Sequence, residues 1–509
     1  VVSLIGLAVA VDYCLFIIKR YREELADGAE TRPALLRAMA TAGHSVMFSG
    51  LVVVVALLSL LIPRTMVFSS VALAGAIVTL VALALTLTLL PAVLLLLGPR
   101  ISWGNLRFRQ RVSATPRRPR FDLSRLRRRP GLLLLVLVPA FLLLATPMAG
   151  IRLQVPVASA SILPAGTEAR TGFERIDQNL ALRDLFPIEV VLSSPVSGGP
   201  QRLLDAARSV RELATAQSQT QQVRAVTDLD GGAGISAAVN GNQAALPPAS
   251  RAAFQQLWAR SGEDYVTRVQ ILSKTGPDSN ATHDLVASLR DGLGSKVDDG
   301  VDVQVTGATA QGADFDNVVR GSLPIVILVA ALATLLLLRR AFSSWLAPIL
   351  ALAFNGLVVT ASLGLLSLIY QKGLGEPVNS VTPLLLFAIM FGLSMDYMVI
   401  MMSRMREVYA EGHSHVEAVE TGLSRTAGIV NSAAIIMVAV FASFGVAKIS
   451  IVQQLGFGLA IAVLLDAVVI RLLVMPATLH LVGPRVWAHR QSTTVAPRAV
   501  ALTELADVR

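Results

Sequence analysis

The 509-residue sequence contains one cysteine, Cys14, and charged residues make up only 15% of it. A single cysteine cannot form an intrachain disulfide, and no cluster in the sequence resembles a thiolate metal site. Hydrophobic residues account for 54% of the chain, which is more than an ordinary soluble domain contains. The composition therefore indicates a membrane protein.

Acidic residues are also scarce, at 34 against 44 lysines and arginines, and the formal net charge is +10. The basic residues cluster beside hydrophobic segments, without the interleaved aromatic residues of a nucleic-acid-binding patch. We therefore expect no nucleic acid partner and interpret the basic residues as signals of membrane topology.

The sequence has no initiating methionine, signal peptide or polar segment before its first apolar run, which begins at Val1. We therefore expect that a segment upstream of Val1 belongs to the intact protein.

Apolar runs of about 18 residues or more can cross the hydrocarbon core of a bilayer as helices. Runs and breakers predict about nine spans, near 1–19, 44–62, 67–97, 131–150, 320–338, 344–369, 379–403, 428–447 and 453–480. Short loops rich in lysine and arginine stay in the cytoplasm, and counting through the spans puts all such loops on one side. The chain is thus expected to start outside the cytoplasm and to end inside it.

This count divides the chain into six parts. They are membrane helices at 1–100, a basic cytoplasmic loop at 101–130, a membrane helix at 131–150, a soluble domain outside the cytoplasm at 151–319, membrane helices at 320–484 and a short cytoplasmic tail at 485–509.

The soluble domain has balanced charge and many turn residues. Its pattern predicts a strand at Ile188–Leu192, a helix at Arg202–Gln217, strands at Val223–Thr227 and Tyr265–Leu272, a helix at Thr282–Leu293 and a strand at Val301–Val305. This β-α-β-β-α-β order is that of a ferredoxin-like unit. A Gly- and Ala-rich insertion, Gly231–Arg260, separates the two middle strands.

An internal repeat is the most informative feature of the sequence. Asp12-Tyr13 recurs as Asp396-Tyr397, and about a hundred residues recur at a separation of roughly 384. The first three predicted spans therefore duplicate the last three. By that symmetry, we expect the intact protein to have twelve spans and two external domains.

Asp12 and Asp396 lie within apolar helices, where each carboxylate costs about 2.5–3.5 kcal/mol to insert. A structural hydrogen bond between helices is one interpretation. The other is proton carriage, because a carboxyl group can load a proton on one side and discharge it on the other. The recurrence of the same costly residue at the same repeat position favours proton carriage.

Tyr13 and Tyr397 directly follow these aspartates, so each side chain points about 100° away from its neighbour. Each tyrosine is therefore better placed to meet the aspartate of the other repeat than its own. Its hydroxyl can donate to a carboxylate and accept from water, as a proton relay requires. Filling of a helix interface is the alternative role.

Asp466 and Arg471 are charged residues in the last predicted span, five positions apart and so not on one face of an α-helix. We favour an ion pair to a neighbouring helix over a pair within the helix, and a secondary role in proton coupling is the alternative. The runs Arg20–Glu23 and Arg404–Glu407 follow the Asp-Tyr helices and are interpreted as anchors at the membrane interface.

These motifs carry a family resemblance over nearly all of the chain. Phe391–Tyr397, followed by Ser403–Glu407, is similar to the tenth-helix signature of the MMPL (mycobacterial membrane protein large) family of the resistance-nodulation-division (RND) superfamily. Gly6–Glu24 resembles the fourth-helix counterpart, and Gly456–Ala477, with Asp466 and Arg471, resembles the twelfth helix.

The resemblance implies a polytopic α-helical membrane protein with a pseudo-two-fold repeat and an α+β ferredoxin-like periplasmic porter domain. It implies a secondary transporter, not an enzyme, that exports lipids or hydrophobic small molecules across the bacterial inner membrane. The proton gradient would drive it through Asp12, Tyr13, Asp396 and Tyr397, without a metal or other cofactor. The resemblance leaves a homo-oligomer open.

Two other readings compete with this one. A sterol-sensing or protein-translocation relative within the same superfamily would share the fold and differ only in cargo. An intramembrane aspartyl protease would also need two aspartates, but such enzymes carry a Gly-x-Gly-Asp pattern, and Asp396 here follows Gly-Leu-Ser-Met.

Overall fold

The computed structural model describes residues 2–102, 129–156, 166–180, 185–229, 233–342 and 344–487. Most of the predicted basic loop 101–130 and nearly all of the predicted tail 485–509 lie outside these residues.

The first repeat consists of four α-helices and one short π-helix. They are α1 (Val2–Ala26), α2 (Thr31–Ala38), the π-helix Met39–Gly43, α3 (His44–Leu58) and α4 (Met66–Leu97). The apolar helix α4 exposes large side chains such as Leu89 and Leu96. A helix with an apolar, exposed surface of this length is suited to contact lipid.

Helix α5 (Pro130–Ala145) follows, with proline at its first position, where no helical N–H is lost. The region between α5 and α11 (Ala308–Phe342), which we call the sheet region, contains α6 (Glu168–Leu180), β1 (Ile188–Pro195), α7 (Pro200–Ala216), β2 (Thr220–Arg224), α8 (Ala233–Val239), α9 (Pro248–Leu257), β3 (Trp258–Ser261), β4 (Asp264–Ser273), α10 (Asn280–Lys296) and β5 (Asp302–Thr306). The predicted order of strands and helices is observed, and the predicted insertion 231–260 contributes two helices and the additional strand β3.

The strands form one sheet in the order β2-β4-β1-β5, with β3 paired to β4 and every pair antiparallel. Alternate residues of β1 are buried, including Val190 and Leu192, because successive side chains point to opposite faces of a strand. They belong to one core with Val210 of α7 and Leu289 of α10. The two helices therefore cover one face of the sheet.

The remaining helices return to the membrane part. They are α11 (Ala308–Phe342), α12 (Leu346–Ser367) with the π-helix Leu368–Leu374, α13 (Val381–Ala410), α14 (His415–Ser443), α15 (Ser450–Leu464) with the π-helix Leu465–Val474, and α16 (Met475–Val482). Helix α13 lies at the centre and packs against α3, α12, α14 and α15. It belongs to the same core as α1, so the two repeats share one interior.

Seven helical runs in the described residues are long and apolar enough to cross a membrane, or eight if the bent α14 counts as one span. The chain is therefore a mostly helical, polytopic membrane protein with a small sheet. Helix α1, which holds the predicted span 1–19, is not among the eight, and the total of nine stays a prediction.

The Thr-Ala-Gly motif occurs in both repeats at a point where a helix loses its regularity. Thr41–Gly43 ends the π-helix Met39–Gly43. In the second repeat, Thr426–Gly428 precedes a 43° bend between His415–Gly428 and Val430–Val446. Both repeats therefore have an irregular helical segment at this motif, which is a π-helix in the first repeat and a bend in the second.

A short segment after α5, at the start of the sheet region, contacts the membrane helices through its backbone. Leu153 forms a parallel bridge with Val378, close to the start of α13. Gln154 N donates to Val378 O at 3.0 Å, and Val378 N donates to Arg152 O at 3.1 Å.

The buried Asp316 of α11 strengthens this junction. Its Oδ1 accepts a hydrogen bond from Val155 N at 3.1 Å and a second one from Ser380 Oγ. Ser380 is the N-cap residue of α13. The carboxylate of Asp316 in α11 thus connects the segment before the sheet region to the start of α13.

Candidate functional site

The centre of the site is a contact between the two repeats. Tyr397 of α13 donates its hydroxyl hydrogen to Asp12 Oδ2 of α1 at 2.6 Å. Asp12 is 4% exposed and Tyr397 2% exposed, so the hydrogen bond lies in the protein interior. The prediction that a tyrosine meets the aspartate of the other repeat is confirmed for this pair.

Three side chains fix the ring of Tyr397. The guanidinium carbon of Arg471 lies 4.4 Å from the ring centroid, within the range of a cation–π interaction. Phe16 of α1 packs edge-on, with 5.7 Å between ring centroids. Met437 Sδ lies 3.9 Å from the hydroxyl. The hydroxyl is therefore held toward Asp12 by packing on several sides.

The second Asp-Tyr pair is described only in part. Tyr13 is buried in α1, and a Cβ atom added at Gly50 of α3 would lie 3.3 Å from its hydroxyl oxygen. Glycine at this position lets the tyrosine approach the backbone of α3 closely. Asp396 lies on α13, and its side chain is outside the described part of the structure.

Asp466 and Arg471 form an ion pair within their own helical segment, so the favoured prediction of a partner on a neighbouring helix was wrong. Arg471 Nε donates to Asp466 Oδ2 at 3.0 Å, and both residues are buried. The segment Leu465–Val474 is a π-helix, in which hydrogen bonds connect residues five apart. The wide turn therefore brings together two side chains that an α-helix would separate.

Arg471 also connects this ion pair to α13. Its Nη2 donates to Ser394 O at 2.9 Å, and its guanidinium covers the ring of Tyr397. Asp466, Arg471, Tyr397 and Asp12 thus form one buried chain of contacts that crosses from the second repeat to the first.

A narrow cavity runs beside Tyr397. Most of its lining is apolar, and it comprises Met390, Leu393, Ser394, Tyr397, Val430, Ala434, Met437, Val463, Asp466, Ala467 and Arg471. In these apolar surroundings the polar atoms of the site interact mainly with one another. Their electrostatic interactions are stronger there than in water.

Four charged residues at the arginine-rich end of the helices form a group that the sequence interpretation missed. Arg20 Nη2 lies 3.5 Å from Glu407 Oε1, and Arg404 Nη2 lies 3.8 Å from Glu23 Oε2. Within each repeat, Arg20 lies 3.7 Å from Glu23 and Arg404 lies 2.5 Å from Glu407. We call this group the ion-pair box.

The interpretation of these runs as membrane anchors stays a prediction, and the structure adds that their charged residues pair between the repeats. Arg20 and Glu23 recur as Arg404 and Glu407 at the same spacing from the Asp-Tyr motif. This repetition was the available signal, because residues at equivalent positions of two facing repeats can pair reciprocally.

The described residues contain no group of three or more His, Cys, Asp or Glu side chains arranged to hold a metal ion. The side chains of the site carry carboxyl, phenol and guanidinium groups, which can exchange hydrogen bonds.

Comparison with known proteins gives a consistent match. A family model described as MMPL family matches residues 1–133 and 161–501. A putative membrane protein, SCO6666, of Streptomyces coelicolor is 33% identical over 497 residues, covering 96% of this chain and 62% of that protein. The mycolic acid-containing lipids exporter MmpL11 of Mycolicibacterium smegmatis is 30% identical over 503 residues, covering 96% and 49%.

The trehalose monomycolate exporter MmpL3 of the same organism is 27% identical over 560 residues, covering 100% of this chain and 51% of that protein. The chain thus spans about half to three fifths of the length of these relatives.

Proposed function

Since the chain belongs to the MMPL family, we propose that it is part of a proton-driven exporter of lipids or other hydrophobic molecules. The observation that carries the proposal is the buried hydrogen bond between Tyr397 and Asp12, which joins the two repeats. Two of the relatives are named as exporters of mycolic-acid-containing lipids and of trehalose monomycolate, which supports a lipid cargo.

Asp12 and Tyr397 would couple proton uptake to movement through the direction of their hydrogen bond. An ionised Asp12 can only accept, and Tyr397 donates to it. A protonated Asp12 gains a donor of its own, so the tyrosine hydroxyl must become the acceptor or turn away. Each protonation therefore changes the contact between α1 and α13, the helices that carry the site in the two repeats.

Asp396 and Tyr13 complete the proposed relay as the equivalent pair of the other repeat. Asp466 and Arg471 would act in a secondary way, because the Arg471 guanidinium covers the Tyr397 ring next to Asp12. The proton gradient would supply the energy, at about 2.3 kcal/mol for each charge moved through 100 mV. No further cofactor is required by this scheme.

We also propose that the arginine-rich ends face the cytoplasm and that the soluble domain lies outside it, in the inner membrane of a bacterium. The positions of the basic loops support this orientation. Cysteine placed between residues 233 and 260, in a background without Cys14, should react with a membrane-impermeant thiol reagent in intact cells. Labelling only after lysis would contradict the orientation.

The test of function is Asp12→Asn in proteoliposomes with an imposed pH gradient. Asparagine keeps the size and hydrogen-bonding capacity of the side chain and removes the titratable proton. We expect gradient-dependent transfer of labelled lipid to fall to background while insertion and folding are unchanged. Asp396→Asn should behave alike, and the double variant should be no worse, because residues that act as one unit are not additive.

Asp27→Asn is the matched control, since Asp27 is an exposed aspartate just beyond α1. It should transport at the normal rate. Near-normal gradient-dependent transfer by Asp12→Asn would refute the proton relay.

A further inference from the structure

Helix α16 continues into a short 3-10 helix, Gly483–Trp487, that packs on the connection between α13 and α14. Its last residue, Trp487, contacts two other rings. The ring centroid of Tyr409, near the end of α13, is 6.0 Å away, and that of His415, the first residue of α14, is 5.9 Å away. Val486 beside it is buried. The 3-10 helix is therefore docked on the ends of α13 and α14 through its side chains.

Two hydrogen bonds define the state of the His415 ring. Trp487 Nε1 lies 2.7 Å from His415 Nδ1, and His415 Nε2 lies 2.9 Å from Leu479 O of α16. An indole N–H can only donate a hydrogen bond, and a carbonyl oxygen can only accept one. His415 Nδ1 must therefore accept, and Nε2 must carry the hydrogen. Both bonds together need the neutral imidazole with its hydrogen on Nε2.

Protonation of His415 is incompatible with this arrangement. A protonated imidazole carries hydrogen on both nitrogens and donates from both. The new N–H at Nδ1 would face the N–H of Trp487, so that hydrogen bond would be lost. The ring also belongs to the first turn of α14, where the helix dipole disfavours a cation. Docking of the 3-10 helix therefore favours the neutral ring, and it weakens as the pH falls.

The charged groups around His415 leave its ring without an opposite charge. The titratable and charged residues on the elements that meet here are Tyr409, Glu411, His413, Glu417, Glu420, His480 and Arg485. Glu417 Oε2 lies 4.0 Å from His413 Nδ1. Glu420 Oε1 lies 3.6 Å from His480 Nε2.

The other helices at this place add no charge. Helices α5 and α12, which pack on α16 and on the 3-10 helix respectively, contain no charged residue. In the described part of the chain, the ring of His415 takes part in no ion pair. A protonated His415 would therefore gain no ion pair in this arrangement that offsets the lost hydrogen bond.

We propose that His415 and Trp487 form a pH-sensitive switch. The 3-10 helix is docked on α13 and α14 while the ring is neutral, and it is released when the ring is protonated. Histidine suits this role because its charge changes between about pH 5 and 8. Release would remove the stacking of Trp487 on Tyr409, near the end of the helix that carries Tyr397. The switch does not depend on the proposed transport activity.

The test follows the indole N–H of Trp487 by NMR, in the full chain labelled with nitrogen-15 tryptophan and purified in nonionic detergent. The loss of one signal in Trp487→Phe identifies it. At about pH 8 we expect the position of an indole bonded to imidazole, and at about pH 5 that of an indole without this bond. The ratio of docked to released protein should fall about tenfold for each pH unit below the midpoint, as for one proton.

His415→Gln separates the proton from the hydrogen bonds. A glutamine side chain can accept from Trp487 and donate to Leu479 O, and it does not titrate. In this variant the Trp487 signal should keep its docked position down to about pH 5. His413→Gln is the matched control, because His413 is exposed and lies two residues away. It should titrate as the wild-type protein does.

Two tryptophans elsewhere show whether the change is local. Trp258 lies in β3 and Trp345 precedes α12, so their signals should stay in place while that of Trp487 moves. Movement of all three signals at the same pH would indicate general unfolding and would overturn the switch. An immobile Trp487 signal between about pH 8 and 5 would do so too, as would equal titration of His415→Gln and the wild-type protein.

A measurement on the wild-type protein avoids any effect of substitution on folding. With nitrogen-15 histidine, the ring of His415 is identified by its cross-peak with the Trp487 indole proton. At about pH 8 we expect its hydrogen on Nε2. A hydrogen on Nδ1 at this pH would contradict the proposal, because that nitrogen could not accept from Trp487.

Discussion

The third membrane helices of the two repeats differ more than their sequences suggest. In the first repeat, α4 runs as one α-helix through Pro91. In the second, α15 changes to a π-helix before Pro476 and carries Asp466 and Arg471 there. Counted back from the two prolines, the corresponding residues of the first repeat are Val81 and Thr86.

This difference shows that the duplication preserved the Asp-Tyr motif and let its surroundings diverge. Tyr397 has the cationic Arg471 over its ring. The corresponding position of the first repeat is occupied by Thr86, which is buried. Its Oγ1 atom lies 3.8 Å from Cys14 Sγ, and neither group carries a positive charge. The position that supplies the cation beside Tyr397 in the second repeat is therefore occupied by an uncharged residue in the first.

The largest effect is expected when the two charges of the second repeat are introduced at the corresponding positions of the first. Val81→Asp combined with Thr86→Arg should prevent stable folding, because α4 lacks the wide turn and leaves the two side chains unpaired. Each unpaired charge in the membrane costs about 2.5–3.5 kcal/mol. Size-exclusion chromatography of the solubilised protein measures the folded fraction. A normal monodisperse yield would show that the π-helix is not needed for this pairing.

The reverse change should be milder for folding. Asp466→Val combined with Arg471→Thr removes both charges together, whereas Arg471→Met alone leaves Asp466 buried without its partner. Breaking such a pair costs about 3–5 kcal/mol, and replacing both members is often nearly neutral. Thermal unfolding should rank the single variant well below the double one. Equal melting temperatures would refute the buried pair.

The hydroxyl of Tyr397 should account for only part of the transport rate. Tyr397→Phe removes a donor to Asp12, and a hydrogen bond to a charged group contributes about 1.5–3 kcal/mol. Because water can replace part of it, we expect transport to fall roughly tenfold and not to background. Initial rates in proteoliposomes measure this, with Phe16→Leu as a control that alters packing but keeps the hydroxyl. A wild-type rate for Tyr397→Phe would remove the hydroxyl from the relay.

The smallest expected effect concerns the ion-pair box. Glu407 lies 2.5 Å from Arg404, whereas the contacts of Glu23 with Arg20 and Arg404 are 3.7 and 3.8 Å long. Glu407→Gln should therefore lower the melting temperature more than Glu23→Gln does. Both changes should be worth about 1 kcal/mol or less, and added salt should reduce them because the pairs are partly exposed. A larger loss for Glu23→Gln would contradict the geometry.

The sequence predicted the central contact because periodicity constrains it. One residue along an α-helix turns a side chain by about 100°, so adjacent Asp12 and Tyr13 cannot both face the same partner. With two repeats in one core, the cross-repeat pairing of Tyr397 and Asp12 follows. The order of strands and helices in the sheet region could also be predicted, since the period of its apolar pattern changes between elements.

The same reasoning failed where the helix is not an α-helix. Five residues turn through about 500° in an α-helix, which places Asp466 and Arg471 on different faces. This geometry does not apply in a π-helix. The hydropathy of the sequence does not indicate that the segment forms one. An opposite-charge pair five residues apart within an apolar run was the one available indication.

The carboxylate of Asp316 has a mechanical consequence. The chain enters the sheet region after the segment at Val155 and leaves it through α11, and the Asp316 carboxylate of α11 accepts hydrogen bonds from both Val155 and Ser380. Tyr397 lies seventeen residues further along α13, about 25 Å at the helical rise. A tilt of the sheet region that moves Asp316 would therefore move the start of α13. Such a movement would reach the Tyr397 hydroxyl that faces Asp12 along one continuous helix.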